Sequence, residues 1–237
     1  MLSFDAIRAR AIHRKGGEAA LARLLPKVAT AKQLAALRDD RVLAEMTKRI
    51  FCSGFAWTVI EKKWPGFEAA FLGFDAPKLL RQTPDFWDAL TADARIVRNG
   101  QKIMSVAANA RFIADIAAEH GSFGRFLAAW PVTDQVGLLA LLGKRGSRLG
   151  GNTGQYLLRF LGKDGFMLSR DVVRCLRDAG LDIAEAPTSK RDLARVQQQF
   201  NEWATATKLP YTHLSRICAM SIGENHSVER LEVYMGE

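Results

Sequence analysis

Cysteine is scarce in this sequence: Cys52, Cys175 and Cys218 are the only three in 237 residues, far apart and in no Cys-x-x-Cys pair. That scarcity excludes a disulfide-stapled scaffold and fits a reducing compartment, with the three thiols as small core-filling side chains. Long apolar runs are missing too, since no stretch approaches the ~18 uncharged residues that a membrane span requires. Met1 to Gly17 is broken by Asp5, Arg8, Arg10, His13, Arg14 and Lys15, so it lacks the apolar stretch of a secretory signal. The expectation is a cytoplasmic protein with no membrane partner. Alternating strand patterns between turn residues are nearly absent, as are internal repeats and low-complexity tracts, which leaves helix as the main element.

What is present is the composition of a globular chain, 48% hydrophobic and 25% charged, with a net charge of +9. A positive excess of that size points to a polyanionic partner. Apolar residues recur at spacings of three and four almost throughout, so the expected fold class is all-α. One helix is expected from Phe4 to Leu25, stopped by Pro26, and a short one from Ala31 to Leu37. The next, with Asp39 or Asp40 as its cap, carries a stripe of Val42, Leu43, Met46, Ile50 and Phe51. A further helix holds Phe55, Trp57, Val59 and Ile60 and ends near Lys63, with Pro65 and Gly66 as a turn. Arg98 to Ala118 reads as one long helix whose basic start, Arg98 and Lys102, is a solvated face. Ser169 and Ser189 are suited to cap later helices, and Ala184 to Thr188 is the clearest linker. The expected organisation is an N-terminal arm over residues 1–35, a helical core over 36–183 and C-terminal helices over 184–237, in a monomer.

The stretch from Leu141 to Leu176, LLGKRGSRLGGNTGQYLLRFLGKDGFMLSRDVVRCL, is the most informative. A short apolar helix, a glycine-rich turn and a helix opening at Asn152 and Thr153 form a helix-hairpin-helix pattern over about residues 136–161. Glycine lets backbone N–H groups approach a phosphate, and a helix N-terminus adds about half a positive charge. Between Lys144 and Arg177 stand eight basic residues against two acids, so +6 of the net +9 is local to this stretch.

Here the sequence resembles a known family. RGSRLGGNTGQYLLRF, with FCSGFAWTVIEKKWPGFEAAFLGFD and IVRNGQKIMSVAANARFI before it, is similar to the bacterial 3-methyladenine DNA glycosylase I family, within the helix-hairpin-helix glycosylases. The resemblance covers roughly Leu43 to Leu176. It implies a two-lobed helical fold, double-stranded DNA with alkylated bases as partner, and hydrolysis of the N-glycosidic bond of alkylated adenine after base flipping. No cofactor is implied. Trp57 matches the aromatic that stacks on the extruded base, with Phe51 and Arg49 as further candidate base contacts. Gly146, Gly151 and Thr153, with Arg145, Arg148, Gly150 and Asn152 around them, match the hairpin that grips the DNA backbone. An indole face attracts a cationic purine by about 0.5 to 2 kcal/mol.

The chain departs from that pattern in several places. Where the family carries a pocket carboxylate, this sequence has Arg49 or, with a shift of one residue, Ile50, and the only acid nearby on the same helix is Glu45, one turn away and placed to pair with Arg49 on the helix surface. Glu45 and Asp171 are the candidate catalytic carboxylates; Asp171 lies two residues past the Ser169 cap and is equally suited to the helix dipole alone. The family's tyrosine before Trp57 has no counterpart, because the first tyrosine in the chain is Tyr156. The cysteines and histidines of the family's zinc site are not matched in spacing by His13, His213, Cys218 and His226, so no metal is expected. Asn152 stands where lyase members carry lysine, which implies a monofunctional hydrolase. The alternative is a noncatalytic DNA-binding relative that has lost the pocket carboxylate.

Overall fold

The computed structural model describes residues 2–231. Fourteen α-helices lie wholly among them and no β-strand does, as the apolar spacing predicts. In chain order they are α1 (Phe4–Lys15), α2 (Glu18–Arg23), α3 (Ala31–Ala35), α4 (Asp39–Cys52), α5 (Trp57–Ala70), α6 (Ala76–Leu79) and α7 (Pro84–Ala92). There follow α8 (Gly100–His120), α9 (Phe123–Ala129), α10 (Gln135–Arg145), α11 (Gly151–Phe160), α12 (Arg170–Asp178), α13 (Lys190–Thr207) and α14 (Tyr211–Ser221). No single helix among the described residues is long and apolar enough to cross a membrane.

The chain divides into two compact units whose limits differ from the boundaries expected from sequence. One is built from residues 2–28, 132–136 and 164–231, so the N-terminal arm and the C-terminal helices share a unit. Its core joins Phe4, Ile7 and Ala11 of α1 to Val172 and Leu176 of α12, Phe200 and Trp203 of α13, and Leu214 and Ile217 of α14. The single helix expected over Phe4–Leu25 is two helices, because Gly16 and Gly17 take φ of +82° and +129° between them. The basic end of α1 holds down the chain after α14: Arg14 donates to the carbonyls of Met220 (3.0 Å) and Gly223 (2.7 Å), and the Lys15 ammonium donates to Asn225 Oδ1 (2.9 Å) and the His226 carbonyl (2.7 Å). Ser169 and Ser189 cap α12 and α13 as expected, accepting from the backbone N–H groups of Val172 (3.3 Å) and Asp192 (3.0 Å).

The second unit, Ala29–Pro131 with Gly137–Lys163, contains the residues around Trp57 and the glycine-rich turn. The stripe of α4 is buried as patterned, with Val42, Leu43, Met46, Ile50 and Phe51 in the core. Instead of turning at Pro65 and Gly66, α5 runs through both to Ala70. Two packing contacts explain the override. A Cβ at Gly66 would lie 2.4 Å from the Arg95 carbonyl oxygen, so this glycine marks close approach rather than a bend. Continuing the helix also buries Phe67, Ala70 and Phe71, while Trp64 stacks on Phe67 (5.4 Å, 15°) and Phe74 (5.5 Å, 9°). Burying two phenylalanines repays several kcal/mol, enough to offset the ~3 kcal/mol penalty of an internal proline. All three cysteines are free and buried.

Candidate active site

α4 brings Glu45, Arg49 and Phe51 to one end of the second unit, and the bend after it, with Gly54 at φ +81°, delivers Trp57 as the first residue of α5. This bend is held from beneath by Lys102 of α8, whose ammonium donates to the carbonyl oxygens of Phe51 and Ser53 and lies 4.7 Å from the Phe55 ring centroid. Lys102 is therefore buried and not the solvated residue that its place at a helix start predicts. Burial, reinforced by Arg148, pushes its pKa below the ordinary lysine value.

Glu45 and Arg49 do pair, with Arg49 Nε 2.7 Å from Glu45 Oε1, but inside the fold and not on a helix surface. Arg49 is only 4% exposed. Its guanidinium lies over two rings, 4.8 Å from the centroid of Trp57 and 3.8 Å from that of Phe160. The orientation leaves Arg49 Nε and Nη1 and Glu45 Oε1 buried without a hydrogen-bond partner. Burial raises the Glu45 carboxyl above the usual carboxylate range, against the opposing pull of Arg49. Phe51 is wholly buried, edge-on to Phe67 at 4.7 Å, so the structure makes it a core residue in place of the base contact expected from sequence.

Two aromatic residues that sequence reasoning passed over complete the cluster. Tyr156 meets the indole of Trp57 edge-on at 5.5 Å and 78°, and Phe160 lies 5.6 Å from it. Both rings are 40% exposed and Trp57 is half-buried, so the cluster reaches the surface. The signal was available: Tyr156 and Phe160 are four residues apart on α11, hence neighbours on one helical face.

The other end of α11 is the glycine-rich turn. Gly150, Gly151 and Asn152 are exposed, Gly150 is the N-cap and no side chain caps the helix, so its first N–H groups point outward without a side-chain partner. The sharp path needs positive φ at Arg148 (+60°) and Gly151 (+58°). It also needs missing side chains, because a Cβ at Gly146 would lie 2.5 Å from Leu149 Cδ1 and one at Gly154 2.5 Å from the Leu149 carbonyl oxygen. α8 clamps the turn through buried Asn109, whose Nδ2 donates to the Ser147 carbonyl (3.0 Å) and whose Oδ1 accepts from the Ser147 N–H (2.8 Å). Arg148 also bonds Gln101 of α8.

The local positive charge is less available than a count along the chain suggests. Lys144 and Arg148 are exposed, but Arg145 is engaged by both carboxylate oxygens of Glu119 (3.0 and 2.7 Å), and Lys163 is buried, donating to the carbonyls of Leu127 (2.8 Å) and Trp130 (2.6 Å). Asp171 sits in the first turn of α12, 4.0 Å from Arg174 and packed against Gly223 within the first unit.

Residues 35–138 match the methyladenine glycosylase family model. Trp57 and the aligned helix that carries Arg49 both fall inside the matched residues, whereas the turn at 146–150 and α11 lie beyond them. Among solved structures, the chain is similar to a tyrosine-to-phenylalanine variant of 3-methyladenine DNA glycosylase I in complex with 3-methyladenine, at 22% identity and a TM-score of 0.47 over 53% of this chain and 77% of that one. It is similar to 3-methyladenine DNA glycosylase I from Staphylococcus aureus at 23% identity, with a TM-score of 0.47 and coverage of 52% and 76%. A glutamate-to-glutamine mutant of the Staphylococcus aureus protein is 16% identical over 80% of each chain, with a TM-score of 0.38. The curated proteins yield no match.

Proposed function

We propose that this chain is a methyladenine-glycosylase-type enzyme, a monofunctional DNA N-glycosylase that flips alkylated purines out of duplex DNA and hydrolyses their N-glycosidic bond. The observation that carries this reading is the double use of α11. Its uncapped, exposed N-terminus is suited to a DNA phosphate, and five and nine residues on, its Tyr156 and Phe160 face Trp57. At 1.5 Å per residue the first of these rings lies roughly 8 Å along the helix from that end, so one rigid element sets the distance between backbone grip and base contact.

In this reading Gly151, Asn152 and Thr153 present backbone N–H groups to the strand, with Lys144 and Arg148 as exposed cations beside them. Trp57 receives the everted base. An alkylated purine is a good leaving group, so the C1′–N bond breaks with its electron pair passing to the purine. Water adds at C1′, and Glu45, the carboxylate of the cluster, takes the water proton. No lysine stands at Asn152, so no Schiff base forms there. A second reading, a DNA-binding relative without catalysis, is favoured by one observation: the Arg49 guanidinium already lies over the indole that would take the base.

Incubation with methylated duplex DNA separates the two. Release of free methylpurines, lost in Trp57→Ala with duplex binding retained, is the expected result. Salt-sensitive binding with no base released would overturn the enzymatic reading.

A further inference from the structure

We infer that Arg216 of α14, with Arg14 and Lys15 at the end of α1, forms an oxyanion site that takes a tetrahedral anion of the phosphate type. These residues belong to the unit that holds neither Trp57 nor the glycine-rich turn, and the site stands whether or not the chain cleaves DNA. The Arg216 side chain leaves Nε and Nη2 buried without a hydrogen-bond partner. Those two nitrogens share one edge of the guanidinium, the edge whose parallel N–H groups grip a phosphate or carboxylate at two points. No carboxylate answers them among the described residues: burial alone lowers the Arg216 pKa, with nothing pulling it back up. A buried charge without a counter-charge is costly, so this edge is completed when an oxyanion arrives.

The surroundings are cationic. On α14, Arg216 stands one turn after His213, whose Nε2 donates to the Pro26 carbonyl (2.9 Å), and one turn before Met220, whose carbonyl accepts from Arg14 (3.0 Å). It is close enough to the end of α1 that its charge, after burial and Arg14, helps to hold Lys15 below the ordinary lysine pKa. Arg14 and Lys15 donate to backbone carbonyls and to Asn225 Oδ1, neutral acceptors that satisfy hydrogen bonds and leave the charge in place. The two bonds of Lys15 leave its third N–H for a ligand. Glu224, the acid on the segment that these residues tie down, is largely exposed and faces the His226 ring (3.4 Å). Three positive charges with no carboxylate paired to them suit a doubly charged phosphate better than a singly charged acetate. Arg216 as a residue is only half-buried, so its fork lies just beneath the surface.

Inorganic phosphate is the probe. Calorimetric titration of the wild-type protein at constant ionic strength is expected to show saturable binding with a Kd on the order of 1 mM. About 50 mM phosphate should then raise Tm by about 5 °C over a chloride reference, and acetate should give less than half of that rise. Arg216→Gln removes an unanswered buried charge, so it should melt at or above the wild-type temperature in chloride and lose the phosphate response. An arginine that merely packs would melt lower when replaced and leave the response in place. Arg216→Lys, a point charge without the fork, should keep only part of it. A linear, non-saturating rise shared by Arg216→Gln is the general salting effect of phosphate and would overturn the site. So would a wild-type titration without heat, which needs no variant to fold. Duplex DNA distinguishes the source of the phosphate. If a strand phosphate occupies the fork, Arg216→Gln makes the slope of log Kd against log salt shallower by about 0.9. An unaltered slope beside an intact phosphate response assigns the site to a free phosphate compound, and either result keeps the oxyanion site.

Discussion

Replacing Asn109 by alanine tests whether the glycine-rich turn works as a preset grip. Asn109 is 1% exposed and makes a two-point bond to the backbone of Ser147 (3.0 and 2.8 Å). Its loss leaves one N–H and one carbonyl of the turn without their partner. A stranded backbone group costs roughly 1 to 3 kcal/mol, and because Ser147 is half-exposed and water can reach it, the low end applies, about 2 to 3 kcal/mol for the pair. For a chain of this length each kcal/mol moves Tm by about 2 to 4 °C, so calorimetry should show a fall of about 5 to 10 °C. If the same energy must be spent to re-form the turn on DNA, duplex affinity falls about 30- to 150-fold by fluorescence anisotropy. No cation is removed, so the slope of log Kd against log salt should stay as in the wild type. A variant that melts normally yet binds as tightly as the parent would refute the idea that α8 holds the turn ready.

Arg148→Gly separates charge from conformation: it removes an exposed cation and suits φ +60°, so stability should be equal or higher by up to about 1 kcal/mol while the salt slope becomes shallower by about 0.9. Glu45, whose folded pKa is raised by burial, contributes a cost that is absent below the unfolded value near 4.3, grows as pH rises from that value toward the folded one, and is constant above it. Stability curves of Glu45→Gln and wild type measured from pH 4 to 7 should therefore diverge in favour of the variant as pH increases; a constant difference would show that Glu45 titrates as it does unfolded.

Helix content, the caps at Ser169 and Ser189 and the stripe of α4 were legible because they depend on local spacing and local hydrogen bonds. The helix through Pro65 was not, since its cause is Arg95 and the phenylalanine stack, thirty residues of chain and several side chains away from the local pattern. At the site, Trp57 and the glycine turn could be named from sequence, and so could the likeness of Glu45 and Arg49 to an ion pair. That this pair is internal, and that Lys102 and Asn109 turn inward from α8 to fix two separate bends, depends on which face of each helix meets another, a property of assembly with no one-dimensional trace. Counting positive residues along Lys144–Arg177 likewise could not register that Lys163 is spent on two carbonyls and Arg145 on Glu119.

The interleaving of the two units has a consequence for synthesis. Ile7 and Leu24 are buried against residues from Asp164 onward, so the opening helices leave the ribosome about 135 residues before their partners exist. At 5 to 20 residues per second that wait lasts roughly 7 to 27 s, during which an apolar, cationic nascent segment stays uncovered. Holdases are suited to that interval, and a stall within residues 29–131 would leave α1 and α2 without the helices that bury them.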